Sequence, residues 1–220
     1  MKNTKRAVSG GFTLVELLIV IALIAILSVA VLATINPIEQ TNKARDAKFK
    51  NDAAEVLSAY ERYFASQNNY PWNSFSLGVA TTVASGTKIS VGGTDPLFGV
   101  LGSTGIGSTN GELVKTSELK TSFVGKEPFT AAVAGVDRLY VYHNGSDSNY
   151  VCFVPKAKAN RSGSVAANLK CLNLASGETA ALLNLGTGCT AMTDTNWTTT
   201  ADLLPAATRA NLLCVPEGNI

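Results

Sequence analysis

The apolar residues of the chain are concentrated in one run near the N-terminus. Residues 17–35 read LLIVIALIAILSVAVLATI, and Ser28 and Thr34 carry the only polar side chains in it. Counted from Phe12, the segment has 24 residues, which as an α-helix extend about 36 Å and suffice to cross a bilayer. The pattern therefore predicts a membrane-spanning helix over residues 12–35.

Asn36 and Pro37 follow the apolar run and change the pattern. A proline inside a helix removes one backbone hydrogen bond and disfavours the helical conformation in the residue before it. We therefore predict a kink or local unwinding between Ala33 and Pro37.

Residues 36–67 favour a second, amphipathic helix. Apolar positions recur at helical spacing, which predicts one stripe packed on a globular body; the stripe consists of Ala53, Leu57, Tyr60 and Phe64. Asp52, Glu55 and Arg62 are expected on other faces. The first half is charged and is interpreted as a solvated face; its members are Lys43, Arg45, Asp46, Lys48, Lys50 and Asp52. Asn68–Pro71 is expected to end the helix.

The rest of the chain predicts short strands. Residues 73–135 are rich in Gly, Ser and Thr, and Lys88–Val91 is the clearest strand among predicted long loops. Leu139–His143 and Tyr150–Val154 predict a hairpin, and Leu169–Leu174 a third strand. A short helix at Thr200–Leu213 is an alternative that Pro205 disfavours. The expected fold class is α+β, with the long helix packed on a small antiparallel sheet.

Charge is informative only at the N-terminus. The chain has 18 basic and 16 acidic residues, a net charge of +2, which predicts no nucleic-acid site. Lys2, Lys5 and Arg6 precede the apolar run, which favours a cytoplasmic N-terminus and an exported C-terminal body. The small residues Ser9-Gly10-Gly11 lie before the run, whereas a secretory signal has them after it. A cut at this place would leave the apolar helix on the mature protein.

Glu16 is the one charged residue inside the predicted span. An ionisable residue in a membrane helix is a functional candidate because its insertion costs free energy. Cleavage after Gly11 would create an amine on Phe12, which could pair with Glu16 in the same helix or in a neighbouring subunit. Alternatively, the carboxylate reaches the headgroups or interacts favourably with the helix N-terminus.

These residues together resemble the class III signal of type IV prepilins and type II secretion pseudopilins. The resemblance rests on Lys5-Arg6, Gly10-Gly11, Phe12-Thr13-Leu14-Val15-Glu16 and the apolar run, and it covers about the first 60 residues. It implies that a prepilin peptidase cuts between Gly11 and Phe12, that Phe12 is N-methylated, and that Glu16 guides assembly. It also implies the pilin-like α+β fold.

Four cysteines lie in the last third of the chain, and none forms the close pair typical of a zinc site: Cys152, Cys171, Cys189 and Cys214. In an exported domain they predict two disulfides, with three pairings open. We favour Cys152–Cys171 and Cys189–Cys214. The alternative is four buried thiols.

Catalytic chemistry is poorly represented. His143 is the single histidine, so a histidine-cluster metal site is excluded, and we interpret His143 as an exposed turn residue. No catalytic residue, resident metal or cofactor is therefore predicted, and the protein is not expected to be an enzyme. Asp147 and Asp194 leave calcium as an alternative, although neither lies in a dense run of oxygen ligands.

The sequence thus predicts a leader (1–11), a membrane and filament-core helix (12–35), an amphipathic half (36–67) and an extracytoplasmic head (68–220). The expected function is a structural subunit of a type IV pilus, anchored in the bacterial inner membrane before it joins an extracellular or periplasmic filament. Its expected partners are other pilins, prepilin peptidase and the pilus or secretion assembly machinery. The alternatives are a pseudopilin of a type II secretion or DNA-uptake system, and a bitopic surface binding protein.

Overall fold

The computed structural model describes residues 11–68, 70–71, 87–91, 111–129, 135–144, 148–174, 180–186, 189–192, 197 and 209–217. The chain divides into two compact units, Met1–Gln40 and Thr41–Ile220. The division falls inside the second helix. The predicted domain boundaries at residues 11, 35 and 67 remain predictions.

The first helix, α1, spans Leu14–Thr34, and the second, α2, spans Pro37–Gln67. Ile35 and Asn36 lie outside both helices, within the stretch where the sequence predicted a kink. The side-chain oxygen of Asn36 accepts a 3.2 Å hydrogen bond from the backbone N–H of Glu39. Pro37 stands at the first helical position, where its missing N–H leaves no helical bond unmade. The helix α1 therefore ends at Thr34, and Asn36 and Pro37 form the start of α2.

The buried face of α2 differs from the predicted stripe. It consists of Phe49, Ala53, Val56, Ala59, Tyr60 and Tyr63, together with the acids Asp46 and Asp52. Ala53 and Tyr60 belong to it as predicted, but Leu57 is only half-buried and Phe64 is 41% exposed. Phe64 instead stacks on Tyr70, with ring centroids 4.6 Å apart. The prediction failed because several apolar stripes fit the helical period, and only the packed head selects one.

The head contains a four-stranded antiparallel sheet in the order β1-β2-β3-β8: Thr87–Val91, Leu139–Asn144, Ser148–Phe153 and Leu213–Val215. The predicted hairpin and the strand at Lys88–Val91 are confirmed. Phe153 lies 5.9 Å from Phe49 of α2, measured between ring centroids. Leu139, Val141 and Val151 are buried with them in one core. The α+β class is thus confirmed, with a helix and a sheet sharing a core.

The predicted third strand lies in a separate sheet. The strand β4, Lys170–Leu174, pairs with β5, Ala180–Asn184. Its link to the C-terminal segment is a bridge in which Lys170 and Leu212 exchange backbone hydrogen bonds of 2.7 and 3.0 Å. The alternation of apolar residues predicted the strand, but this pattern carries no information about the neighbour with which a strand pairs.

The suggested helix at Thr200–Leu213 is wrong over its last five residues. Arg209–Ala210 form β7, which pairs in parallel with β6, Thr190–Ala191, and Leu213 begins β8. Leu212 and Leu213 are buried, and the next residue, Cys214, is bonded to β3. Tertiary pairing therefore overrides the local helical preference. Residues 198–208 lie outside the described part.

The described parts of the connection before the hairpin form short helical turns. The four-residue helix α3 spans Glu112–Lys115, and 3-10 turns follow at Thr121–Gly125, Glu127–Phe129 and Gly135–Asp137. Two further 3-10 turns, Lys158–Asn160 and Gly163–Asn168, connect β3 to β4. Phe123 and Phe129 anchor the first group in the core, with ring centroids 5.0 Å apart. The predicted loops at residues 92–110 lie outside the described residues.

Candidate processing and assembly site

The Gly11–Phe12 junction is accessible. Phe12 is 86% exposed, and Gly11 is also exposed. Among the described residues other than its chain neighbours, no atom lies within 4 Å of a Cβ built on Gly11. Because the described part of the chain leaves room for a side chain here, we expect any requirement for glycine to come from a protein that acts on the junction. Residues 1–10 of the predicted leader lie outside the described part.

Glu16 takes part in a reciprocal cap at the start of α1. Its Oε2 atom accepts hydrogen bonds of 2.8 Å from both the backbone N–H and the hydroxyl of Thr13. In return, the backbone N–H of Glu16 donates to Thr13 Oγ1 at 3.2 Å. This capping box satisfies backbone donors that a helix N-terminus otherwise leaves unpaired.

Thr13 is thus a partner of Glu16 that was not predicted from the sequence. The available pattern was Thr13-x-x-Glu16 directly before an apolar run, which is the sequence signature of a capping box. The cap places the carboxylate beside the junction by local bonds. Whether Glu16 also pairs with a new amine on Phe12, and its role in assembly, remain predictions.

The α1 helix exposes nearly all of its apolar side chains. Leu14–Leu32 has a mean hydropathy of 3.0, and none of it is buried. Among the described residues it is the one helix that by length and composition could cross a membrane. Such a surface is unfavourable in water and needs either lipid or other apolar helices around it.

Two disulfides close the head, but their pairing corrects our prediction. Cys152 is bonded to Cys214, and Cys171 to Cys189. All four cysteines are at most 5% exposed. Cys152 and Cys214 are direct cross-strand partners in β3 and β8, which the sequence could not reveal because β8 was not predicted. Two disulfides are present as predicted, but the favoured pairing of Cys152 with Cys171 and of Cys189 with Cys214 was wrong.

A buried ionic cluster corrects the solvated interpretation for Arg45 and Asp46, whereas Lys43, Lys48 and Lys50 are exposed as predicted. Asp46 is 1% exposed and accepts hydrogen bonds from the backbone N–H groups of Lys156 and Ala157, at 3.0 and 2.8 Å, and from the Asn160 side chain at 2.9 Å. Arg45 contacts Asp46 at 3.0 Å and Asp137 at 2.6 Å. These charges are paired because burial of an unpaired charge would be costly.

The same helix carries a second buried acid. Asp52 is 3% exposed, and its Oδ1 atom accepts a 2.6 Å hydrogen bond from Lys126, which also contacts Glu55 at 3.0 Å. Partial burial lowers the pKa of Lys126, but the hydrogen bonds and charges of Asp52 and Glu55 outweigh it and raise the pKa above its usual value. Asp52 therefore lies on the packed face, contrary to the prediction, whereas Glu55 is exposed as predicted.

Metal and catalytic residues do not converge in the part of the chain that the structure describes. No three His, Cys, Asp or Glu side chains there are grouped so that they could hold a metal ion. His143 lies in β2 opposite Asn149 rather than in the turn. Asp147 and Asp194, the candidates for calcium, lie outside the described residues.

One protein-family model matches the chain. Residues 6–32 match the prokaryotic N-terminal methylation motif. No curated protein and no solved structure matches the chain. The matched residues include the Gly11–Phe12 junction, the Thr13–Glu16 cap and most of α1. The motif implies processing by prepilin peptidase and assembly into pilus-like filaments, and its family is structural rather than enzymatic. Together, the exposed junction, the capped apolar helix and this match show that residues 6–32 carry the class III signal found in type IV pilins and pseudopilins.

Proposed function

We propose that the chain is a structural subunit of a type IV pilus. The observation that carries this proposal is the 21-residue α1, whose apolar surface has no cover, directly after an accessible processing junction. In the membrane, lipid covers this surface; in a filament, the α1 helices of other subunits replace the lipid. Prepilin peptidase would cut after Gly11, and Phe12 would become the methylated N-terminus.

Glu16 gives the proposed assembly a register. A carboxylate among apolar helices is unfavourable unless a cation or a set of donors meets it. Thr13 supplies donors within the chain. The amine that cleavage creates on Phe12 of an adjacent subunit would add a positive charge, and only one axial offset between two helices brings these groups together. The membrane precursor has its N-terminus in the cytoplasm and its head outside.

The head favours a pilus over a pseudopilin. Residues 68–220 make it large for a compact major pseudopilin. Two disulfides restrain it, and Cys152–Cys214 joins the C-terminal strand to the sheet. Covalent restraint of this kind suits a surface exposed outside the cell, where chains meet oxidants and proteases. The second candidate, a pseudopilin of a secretion or DNA-uptake system, is supported by the same signal.

The test is a deletion strain complemented with the intact chain. If the protein is a pilin, sheared surface filaments disappear on deletion and return on complementation, while the secreted protein profile is unchanged. Filaments that persist together with a loss of secreted proteins would instead assign the chain to a secretion system. Unchanged filaments, secretion and DNA uptake would favour a bitopic surface binding protein.

A further inference from the structure

The two disulfides are nested: one bond lies inside the loop that the other closes. Cys152 is bonded to Cys214 across 62 residues, and the Cys171–Cys189 bond lies wholly inside that loop, across 18 residues. Each bond of the competing isomer would join neighbours in sequence: Cys152 to Cys171, and Cys189 to Cys214. Of the two native bonds, Cys152–Cys214 skips two intervening cysteines, whereas Cys171–Cys189 joins consecutive ones.

In an unfolded chain, the competing pairing is entropically easier. The probability that two residues meet falls roughly as the three-halves power of their separation. Cys152 lies 19 residues before Cys171 and 62 residues before Cys214. In the unfolded chain, Cys152 therefore meets Cys171 about sixfold more often than it meets Cys214. Export adds to this bias because Cys152 and Cys171 emerge before Cys214. The order of export rests on the membrane orientation in the proposed function, whereas the loop entropy does not.

The native pairing depends on the last segment of the chain. Cys214 meets Cys152 only when β8 has paired with β3, and Leu212 binds the backbone of Lys170, the residue before Cys171. The Cys152–Cys214 bond thus requires residues 213–215 to be in place, whereas Cys171–Cys189 joins residues only 18 apart. A bond formed earlier between Cys152 and Cys171 would occupy the Cys152 sulfur, with which Cys214 of this segment must pair.

We propose that maturation of this chain includes a thiol-catalysed exchange of disulfides, and that its partner outside the membrane is a protein dithiol with the chemistry of a disulfide isomerase. The four thiols first lose two electron pairs and four protons to a disulfide oxidant, which is reduced to its dithiol form. Exchange then corrects the pairing without further oxidation.

Three displacements carry out the correction, and each breaks one S–S bond and forms another. The partner thiolate attacks Cys171 in the Cys152–Cys171 bond, which forms a mixed disulfide and releases the Cys152 thiolate. Cys152 then attacks Cys214 in the Cys189–Cys214 bond and releases the Cys189 thiolate. Finally, Cys189 attacks Cys171 in the mixed disulfide, and the partner thiolate leaves unchanged.

Burial makes the folded product the end of this sequence. All four cysteines are buried: Cys152 and Cys214 are 1% and 2% exposed, and Cys171 and Cys189 are 0% and 5% exposed. This burial keeps an external thiolate away from both native bonds. A mispaired chain cannot complete the β3–β8 ladder and so leaves its disulfides accessible. Exchange therefore continues on mispaired chains and stops on native ones.

The test follows the bonds in the full chain in detergent. Reduced, unfolded protein is diluted into folding buffer with the fast oxidant diamide, either alone or followed by reduced glutathione, and is then digested with trypsin. Cleavage at Arg138, Lys156, Lys170 and Arg209 leaves Cys171 and Cys189 in one peptide. The native pairing gives a linked pair of peptides, 139–156 with 210–220, whereas either mispaired isomer links three peptides.

Diamide alone is expected to give mainly the three-peptide product, and glutathione is expected to convert it to the native pair. A second digestion that cuts after Glu178 separates Cys171 from Cys189. It should show that the early bond joins Cys152 to Cys171. The matched control is the double variant C152S/C214S, whose remaining local bond should form equally with and without glutathione. Predominantly native bonds with diamide alone would overturn the proposal, as would a three-peptide product that glutathione leaves unchanged. Neither result bears on filament formation, so failure here and failure of the pilus function are distinguishable.

Discussion

Asp46 on α2 accepts a 2.8 Å hydrogen bond from the backbone N–H of Ala157, 111 residues further along the chain. The same carboxylate binds Lys156, Asn160 and Arg45, so it holds the segment after β3 against the helix. A residue that the sequence pattern assigned to solvent therefore makes one of the contacts that join α2 to the head.

Asp46→Ala should destabilise the head by about 3 kcal/mol, because it leaves buried donors and part of the charge of Arg45 without an acceptor. The measurement is thermal or denaturant unfolding of the full chain in detergent. Glu61→Gln, an exposed acid on the same helix, is the matched control and should change stability by less than about 0.5 kcal/mol. Equal effects of the two substitutions would show that Asp46 does not hold this contact.

Lys126→Met should destabilise the head by about 2 kcal/mol, because the buried carboxylate of Asp52 loses its cation while Lys126 itself is one-third exposed. Lys48→Met removes a half-exposed lysine that lies 3.5 Å from Glu127 and should cost below about 1 kcal/mol. Comparable losses in the two variants would contradict the assignment of a buried pair.

The pH dependence of the Lys126 contribution has a definite sign. Because the folded-state pKa of Lys126 is raised above 10.5, its stabilisation is fully present below that value and is lost as the pH rises through the folded pKa. The contribution of Lys126 to the difference in unfolding free energy between the wild type and Lys126→Met should thus be constant from about pH 6 to pH 9. A steep change of this difference across the range would refute the prediction.

Glu16→Gln separates the two roles proposed for this side chain. The amide oxygen can still accept from Thr13, so α1 should stay capped, while the charge available to a neighbouring amine is lost. We expect normal processing and membrane insertion but few or no filaments by electron microscopy. Thr13→Val, which removes the capping hydroxyl and keeps the charge, should still form filaments. If Glu16→Gln forms filaments at the wild-type level, charge pairing is not part of assembly.

Processing can be tested at the junction itself. Intact-mass and N-terminal analysis of protein from the native membrane should find a methylated Phe12 as the first residue. Gly11→Val should leave membrane insertion unchanged, because among the described residues beyond its neighbours no atom lies within 4 Å of a Cβ there, but should leave most of the protein uncut. An N-terminus at Met1 in the wild type, or beyond Ile35, would be incompatible with the pilin function.

The two disulfides should contribute unequally to stability. In the chain-entropy model, the 62-residue loop closed by Cys152–Cys214 is worth about 4 kcal/mol and the 18-residue loop closed by Cys171–Cys189 about 3 kcal/mol. Denaturant unfolding of C152S/C214S and C171S/C189S measures the difference. Four thiols should react only after reduction and unfolding; reactive thiols in the untreated protein would contradict both bonds.

The N-terminal features were readable from sequence because they depend on local order. An apolar run of membrane length, the small residues before it, Glu16 and Pro37 all act through neighbours within a few turns of one helix, and the match at residues 6–32 covers most of this region. The hairpin of β2 and β3 was predicted for the same reason, since its strands are close in sequence. The capping box of Thr13 and Glu16 is equally local, and its sequence signature lies in the same stretch.

Contacts distant in sequence were decided only by the tertiary structure. The bonds of Asp46 to residues near 157, the pairing of Cys152 with Cys214, and the separate sheet of β4 all join segments whose order along the chain says nothing about which partner they meet. A charged residue on a helix is solvated by default, and only a folded neighbour that supplies donors makes its burial favourable. Local pattern thus determined the anchor and the signal, whereas packing alone determined the face of α2 and the covalent closure of the head.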